Sequence, residues 1–414
     1  MQFTKQTEKT IKELLPLFDS CAISNQDKKA FNKLAGIFFN DMASADNYVN
    51  TNLNLLEIKG TIRDYKPMDG IDVQNKFLPK DVSLYIEQHS KNILSYTCSV
   101  NAIKITIHFI LFQDILLFME DSKQKLKEYD LYAKNMFTWL YMCSKYSKNT
   151  CVKELEVNVF LTPIKRKLPL TNVKILGPEH INGAYTYCCK PMGEIYIFRK
   201  EDWFKVFIHE TFHAFGLDFC ASSSSSTDIK NITRSIFNIK SDFNIDEAYS
   251  ETWAVIFNSV FISYISMKKK TIGEFIMNLD VCLQTERLYK LYQCNKILVF
   301  MGLTYEDLYD DSKKQLSINL YREDTNVFSY CVLTCVFLND YISFLNWCVD
   351  NNTEIVRFST TGETILRFGE FIKTQYRSKT LLTGLNHSDE LLNVNKEKKN
   401  DFMLSRTNMC VFEI

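Results

Sequence analysis

Two histidines and a glutamate stand together in an otherwise apolar stretch, His209-Glu210-Thr211-Phe212-His213. Residues four apart lie on one face of a helix, one turn from each other, so both imidazoles can reach a single Zn²⁺. Glu210, next to His209, can point at a metal-bound water and take its proton as that water attacks a carbonyl. The chemistry this spacing implies is zinc-dependent peptide-bond hydrolysis. The chain has 6 histidines, and chance would place HExxH in such a sequence about once in 200 cases. The flanks are apolar all round (Trp203, Phe204, Val206, Phe207, Ile208, Phe212, Ala214, Phe215), as in a buried helix. Three polar side chains inside it would be costly without partners, and one metal would account for all three. The plainer alternative is a pair of core histidines, each with its own hydrogen bond.

A catalytic zinc site needs a third protein ligand and an open position. The string HExxHxxGLDF begins like the metzincin motif. That family's third histidine falls where this chain has Phe219, and Asp218 reads as a loop residue after a helix-ending Gly216. The segment Asp246-Glu247-Ala248-Tyr249-Ser250-Glu251-Thr252-Trp253 instead resembles the second motif of gluzincins, the thermolysin-like peptidases, with pattern Asn-Glu-x-x-Ser-Asp. The resemblance implies Glu247 as third zinc ligand and Glu251 as the acid that orients His209 from behind, with one zinc per chain. Asp246 replaces the family's Asn and Glu251 its Asp, so the match is chemical rather than literal. Glu247 and Glu251 share a helix face, which supports one binding metal and the other holding an imidazole. It leaves open an exchange of their roles, or two solvated carboxylates. The interval from His213 to Glu247 exceeds that of thermolysin-like enzymes and is closer to neurotoxin-type gluzincins.

The longer string LTPIKRKLP…NGAYTY…GEIYIFRKEDWFKVFIHETFHAFGLDF resembles zincin-type proteins of large nucleocytoplasmic DNA viruses. That likeness, over about residues 150–270, implies a small sheet ahead of the HExxH helix, with an edge strand that pairs with extended substrate. A donor for the transition-state oxyanion is required. The sequence offers too many: Tyr185, Tyr187, Tyr249, Arg287, Tyr289, Arg377 and His387. His89, His108 and His180 read as structural or surface residues. Cys188 and Cys189 ahead of HExxH resemble the ligand set of peptide deformylases, but the chain is far too long for that family.

The elements that must position these groups follow from periodicity. Residues 5–58 read as two or three helices, 82–119 hold β-rich runs, and 126–147 form an amphipathic helix. Strands follow at ELEVNVFLT, AYTYCC and EIYIFRK, then a helix from about Glu201, and mostly helix over 245–350. The run ASSSSST (221–227) reads as a flexible loop and the polar stretch 388–402 as a mobile segment. The expected fold is α+β: a helical region over 1–80, a zincin-like catalytic core over 81–270 with a small mixed sheet over the HExxH helix, and a mainly helical region over 271–414.

Composition bounds the rest. The chain has 414 residues, 46% hydrophobic and 24% charged, ordinary values for a globular protein. Lys+Arg and Asp+Glu are both 49, so no basic surplus points to nucleic acid. No run of 18 apolar residues suggests a membrane span. The 13 cysteines are scattered without a CxxC pair and read as buried free thiols in a reducing compartment. The expectation is a cytoplasmic zinc metallopeptidase, in host cytoplasm or a virion, acting on peptide or protein substrates. It would take no specific nucleic acid and no membrane as partner, and virion association would fit the viral likeness. The alternative is a structural or virion scaffold that keeps a zincin fold without turnover. The intact Glu210 favours the enzyme, because a scaffold needs the metal ligands at most and not the base.

Overall fold

The computed structural model describes residues 3–18, 25–52, 60–66, 75–113, 119–147 and 151–414. Cys21 and the end of the first expected helical stretch, 53–58, lie outside them. Along the chain come helices α1 (Lys5–Phe18) and α2 (Asn25–Asn52), strand β1 (Thr61–Asp64), α3 (Lys80–His89), β2 (Asn92–Val100), β3 (Ile103–Leu111), α4 (Met119–Tyr146) and β4 (Glu154–Thr162). They are followed by α5 (Pro178–Ile181), β5 (Ala184–Thr186), β6 (Met192–Arg199), α6 (Trp203–Phe215), α7 (Ser223–Arg234), α8 (Ile245–Ile265) and α9 (Ile272–Phe300). The remainder is helical: α10 (Lys314–Leu320), a π-helical stretch Phe328–Leu333, α11 (Thr334–Asn339), α12 (Tyr341–Asn351), α13 (Gly362–Gln375), α14 (Lys379–Glu397) and α15 (Asp401–Ser405). The fold is α+β with one mixed six-stranded sheet. Among the described residues no single helix is long and apolar enough to cross a membrane.

The chain forms two compact units. The first, Phe38–Lys165 with Asn182–Leu217, carries the sheet; the second, Met1–Ile37 with Arg166–Ile181 and Asp218–Ile414, is helical.

In the sheet unit the strand order is β1-β2-β3-β4-β6-β5, with β3, β4 and β6 parallel and the outer pairings antiparallel. Register explains the core. Ile107, Val157 and Ile195 are aligned across β3, β4 and β6, and all three are fully buried. Glu156 and Glu194 pair on the opposite side of the same strands and are exposed, the alternation expected of a sheet with one covered face. A second apolar cluster joins α3 to the sheet through Val82, Ile86, Ile93, Ile110, Phe160 and Phe198.

In the helical unit α9 is the hub, packing against α1, α8, α11 and α14. Two sequence expectations are corrected here. The serine run is the first turn of α7 and not a loop. Ser225, Ile229 and Thr233 recur every four residues and are buried, and Ser226 Oγ donates to Asp246 Oδ1 at 3.1 Å. The stretch 388–402 is the end of α14 and the start of α15. Leu391, Leu392 and Asn395 form the buried stripe of α14, which polar composition concealed.

Candidate metal centre

The HExxH segment is α6 of the sheet unit, and all 13 of its residues are buried. It starts after Asp202, whose φ is 57°, and ends at Gly216, with φ 62°. That left-handed turn lets Gly216 N–H donate to His213 O at 3.2 Å and Leu217 N–H to Phe212 O at 2.9 Å, satisfying the last carbonyls of the helix. A side chain at Gly216 has no room: its Cβ would lie 2.7 Å from Cys151 Sγ.

The two faces of α6 do different work. Thr211, about 200° around the helix from His209 at 100° per residue, faces α4. Its Oγ accepts from Trp139 Nε1 at 2.7 Å and donates to Ile208 O at 2.6 Å. Phe212 stacks on Trp139, and burial pushes the neighbouring Cys143 thiol far up. This face locks the rotation of the helix. On the other side His209 and His213 turn toward each other, with Nε2 atoms 3.1 Å apart and ring planes at 76°. Both histidines and Glu210 are less than a tenth exposed. Two ligands at neighbouring corners of a zinc tetrahedron with bonds of about 2.0–2.1 Å lie about 3.3–3.4 Å apart, so the imidazoles sit near the spacing a shared metal requires.

The end of α6 is tied to the sheet. Cys189 N–H donates to His213 O at 3.1 Å, and Cys189 is joined to Cys151 by a disulfide. This corrects the reading of all cysteines as free thiols and removes Cys189 as a metal-ligand candidate. The cause is register. Glu154 on β4 pairs with Met192 on β6, and stepping back three residues on each of these parallel strands brings Cys151 beside Cys189. Eight other described cysteines are free, seven of them buried.

Glu247 and Glu251 belong to the helical unit, on α8. Glu247 stands in the first turn; its Oε2 accepts from Tyr330 Oη at 2.8 Å and its Oε1 from Asn326 Nδ2 at 3.4 Å. Glu251, one turn on, forms an ion pair with Lys290 Nζ at 2.8 Å, both side chains almost wholly buried. Burial alone would lower the Lys290 ammonium, but the Glu251 charge and hydrogen bond raise it above its usual value. Asp218 is a helix-exit residue as expected, accepting from Ser250 Oγ at 2.8 Å and Cys220 N at 3.0 Å.

Sequence reasoning missed Asn326, Tyr330 and Lys290. Lys290 lies 39 residues from Glu251 and Tyr330 lies 83 from Glu247, so no local spacing could pair them. Several donors considered from sequence have structural tasks. Tyr249 Oη donates to Val356 O, Tyr289 Oη to Asn408, and Arg287 to Asn339 Oδ1. Tyr185 is buried and stacked on Tyr196, and Arg377 lies over Tyr376. His108 and His180 have local partners, Ser95 Oγ at 2.7 Å and Gly177 N at 3.1 Å, and His89 stacks on Tyr85.

No protein-family model, curated protein or solved structure matches this chain.

Proposed function

We propose that the chain is a zinc-dependent peptide hydrolase with a zincin-like catalytic region, of gluzincin type. The observation that carries this reading is the pair of imidazoles on α6, with Nε2 atoms 3.1 Å apart and Glu210 beside them on a wholly buried helix. Zinc would be held by His209 and His213, with Glu247 as the third ligand that the resemblance to the gluzincin second motif implies. Two imidazoles and one carboxylate are the donor set of a catalytic rather than a closed structural zinc site. When bound, zinc supplies a Lewis acid for a carbonyl oxygen and makes water more acidic. Glu210 takes the proton of the attacking water and returns it to the leaving amine. The resemblance to the gluzincin motif would give Glu251 the orienting role toward His209, with Lys290 balancing its buried charge.

The sheet supports the same reading. β5 is its last strand, antiparallel to β6, and both strands pack against α6. An extended peptide added beside β5 would gain main-chain hydrogen bonds next to the histidine helix.

The test is metal analysis of purified protein, followed by peptide hydrolysis by wild type and by Glu210→Gln. About one zinc per chain and activity that Glu210→Gln abolishes are expected. No zinc after metal-replete purification would sink the proposal, and zinc without turnover on any peptide library would favour the scaffold alternative.

A further inference from the structure

Glu247 is the third residue of α8, a position with a standard occupation. A glutamate there usually reaches back to the backbone N–H of the residue that caps the helix, closing a capping box. Here the capping residue is Asn244, and its N–H donates at 2.9 Å to Asn326 Oδ1, not to Glu247. The same Asn326 side chain turns its Nδ2 to Glu247 Oε1 at 3.4 Å. One amide from a distant segment thus takes over the capping role and holds the carboxylate it has displaced. Asn326 has φ 56°, a left-handed conformation that asparagine tolerates better than most residues.

The chain then enters the π-helical stretch Phe328–Leu333. Such wide turns are rare and are found often at functional sites. Two residues clamp it to the start of α8: Ser329 Oγ donates to Asn244 O at 2.5 Å, and Tyr330 Oη to Glu247 Oε2 at 2.8 Å. The segment is anchored on its other side by Glu323, whose carboxylate accepts Phe328 N–H at 2.9 Å and also Val327 N–H. A carboxylate has about four acceptor positions. Tyr330 Oη and Asn326 Nδ2, one on each oxygen, fix the plane and rotation of the Glu247 carboxylate.

We infer that Asn326 and Tyr330 are positioning residues that hold the Glu247 carboxylate in the orientation in which it ligates a metal. The inference rests on the proposed metal centre and assigns to it a support that no motif reveals. Removing such a hydrogen-bond partner of a ligand typically costs 10–100-fold in metal affinity.

The experiment compares wild type, Glu247→Gln, Tyr330→Phe and Asn326→Gly by chelator competition for Zn²⁺, by the visible spectrum of the Co²⁺-loaded protein, and by thermal unfolding of the metal-free protein. Glycine accepts the φ of Asn326, so the second positioning variant guards against a folding defect in the first. The expected result is a 10–100-fold weaker zinc affinity and an altered Co²⁺ spectrum in both positioning variants, with metal-free unfolding of Tyr330→Phe unchanged. Wild-type affinity and spectrum in both, with metal lost in Glu247→Gln, would overturn the inference and leave the metal centre standing. Weakened binding that only tracks a lowered unfolding temperature, with the Co²⁺ spectrum unchanged, would also overturn it, because the role would then be structural. Wild-type binding in Glu247→Gln removes Glu247 as ligand and this inference with it. Absence of zinc from the wild type overturns both readings.

Discussion

The backbone N–H of Cys189 donates to the carbonyl of His213 at 3.1 Å, which ties a disulfide to the last turn of the histidine-bearing helix. His213 therefore has its imidazole on one side of the helix and its carbonyl fixed to the sheet's own crosslink. Helix end, left-handed Gly216 and disulfide form one mechanical unit, and perturbing any of them should be felt at the candidate metal centre.

Gly216→Ala tests that unit directly. The substitution places a Cβ at φ 62° and 2.7 Å from Cys151 Sγ. The backbone term alone is about 1–2 kcal/mol, and the clash adds to it. Thermal unfolding should show a loss of at least that size, with weaker zinc binding. A neutral result would mean that the end of α6 can shift freely.

Reduction of the Cys151–Cys189 disulfide should destabilise the sheet unit. Closing a 38-residue interval restricts the unfolded chain by about 4 kcal/mol in the chain-entropy picture, and measured effects usually fall within about 2–4. Chemical denaturation of wild type and Cys151→Ser, with and without a dithiol reductant, measures this. Reductant should lower the stability of the wild type by more than that of the variant, which keeps the disulfide-bonded Cys188 and Cys220.

Glu210→Gln should keep zinc and fold and lower peptide hydrolysis by roughly 10²–10⁴-fold, the usual range for general-base catalysis. His213→Ala should instead lose the metal, because a ligand is gone. Metal content and turnover measured on both variants separate the two roles; hydrolysis at the wild-type rate in Glu210→Gln would remove Glu210 as base.

Breaking the buried pair by Lys290→Met leaves the Glu251 charge uncompensated and should cost about 3–5 kcal/mol near neutral pH. The pH dependence has a definite sign. The folded-state pKa of Lys290 is raised, so its contribution is complete below the unfolded lysine value of about 10.4. It is lost only as pH climbs through the still higher folded value. The difference between wild type and variant in denaturant titrations should therefore hold from about pH 6 to 9 and shrink in stronger alkali. A difference that vanished already at pH 8 would contradict the assignment.

The helical spacing of His209 and His213 was legible in the sequence, as were the apolar surround of α6 and the strand ELEVNVFLT, because each is written in consecutive residues. The serine-rich start of α7 and the polar end of α14 were not. Their buried stripes, Ser225–Ile229–Thr233 and Leu391–Leu392–Asn395, are narrow, and composition averages them away. The disulfide needed the β4–β6 register before Cys151 and Cys189 could be paired. The surroundings of Glu247 and Glu251 depend on residues dozens of positions later, where nothing in Tyr330 or Lys290 marks a partner.

The complete burial of α6 also has a consequence in time. Amides in a helix with no solvent-facing residue exchange with water only when the surrounding structure opens. Those of His209 to His213 should rank among the slowest in a hydrogen-exchange experiment.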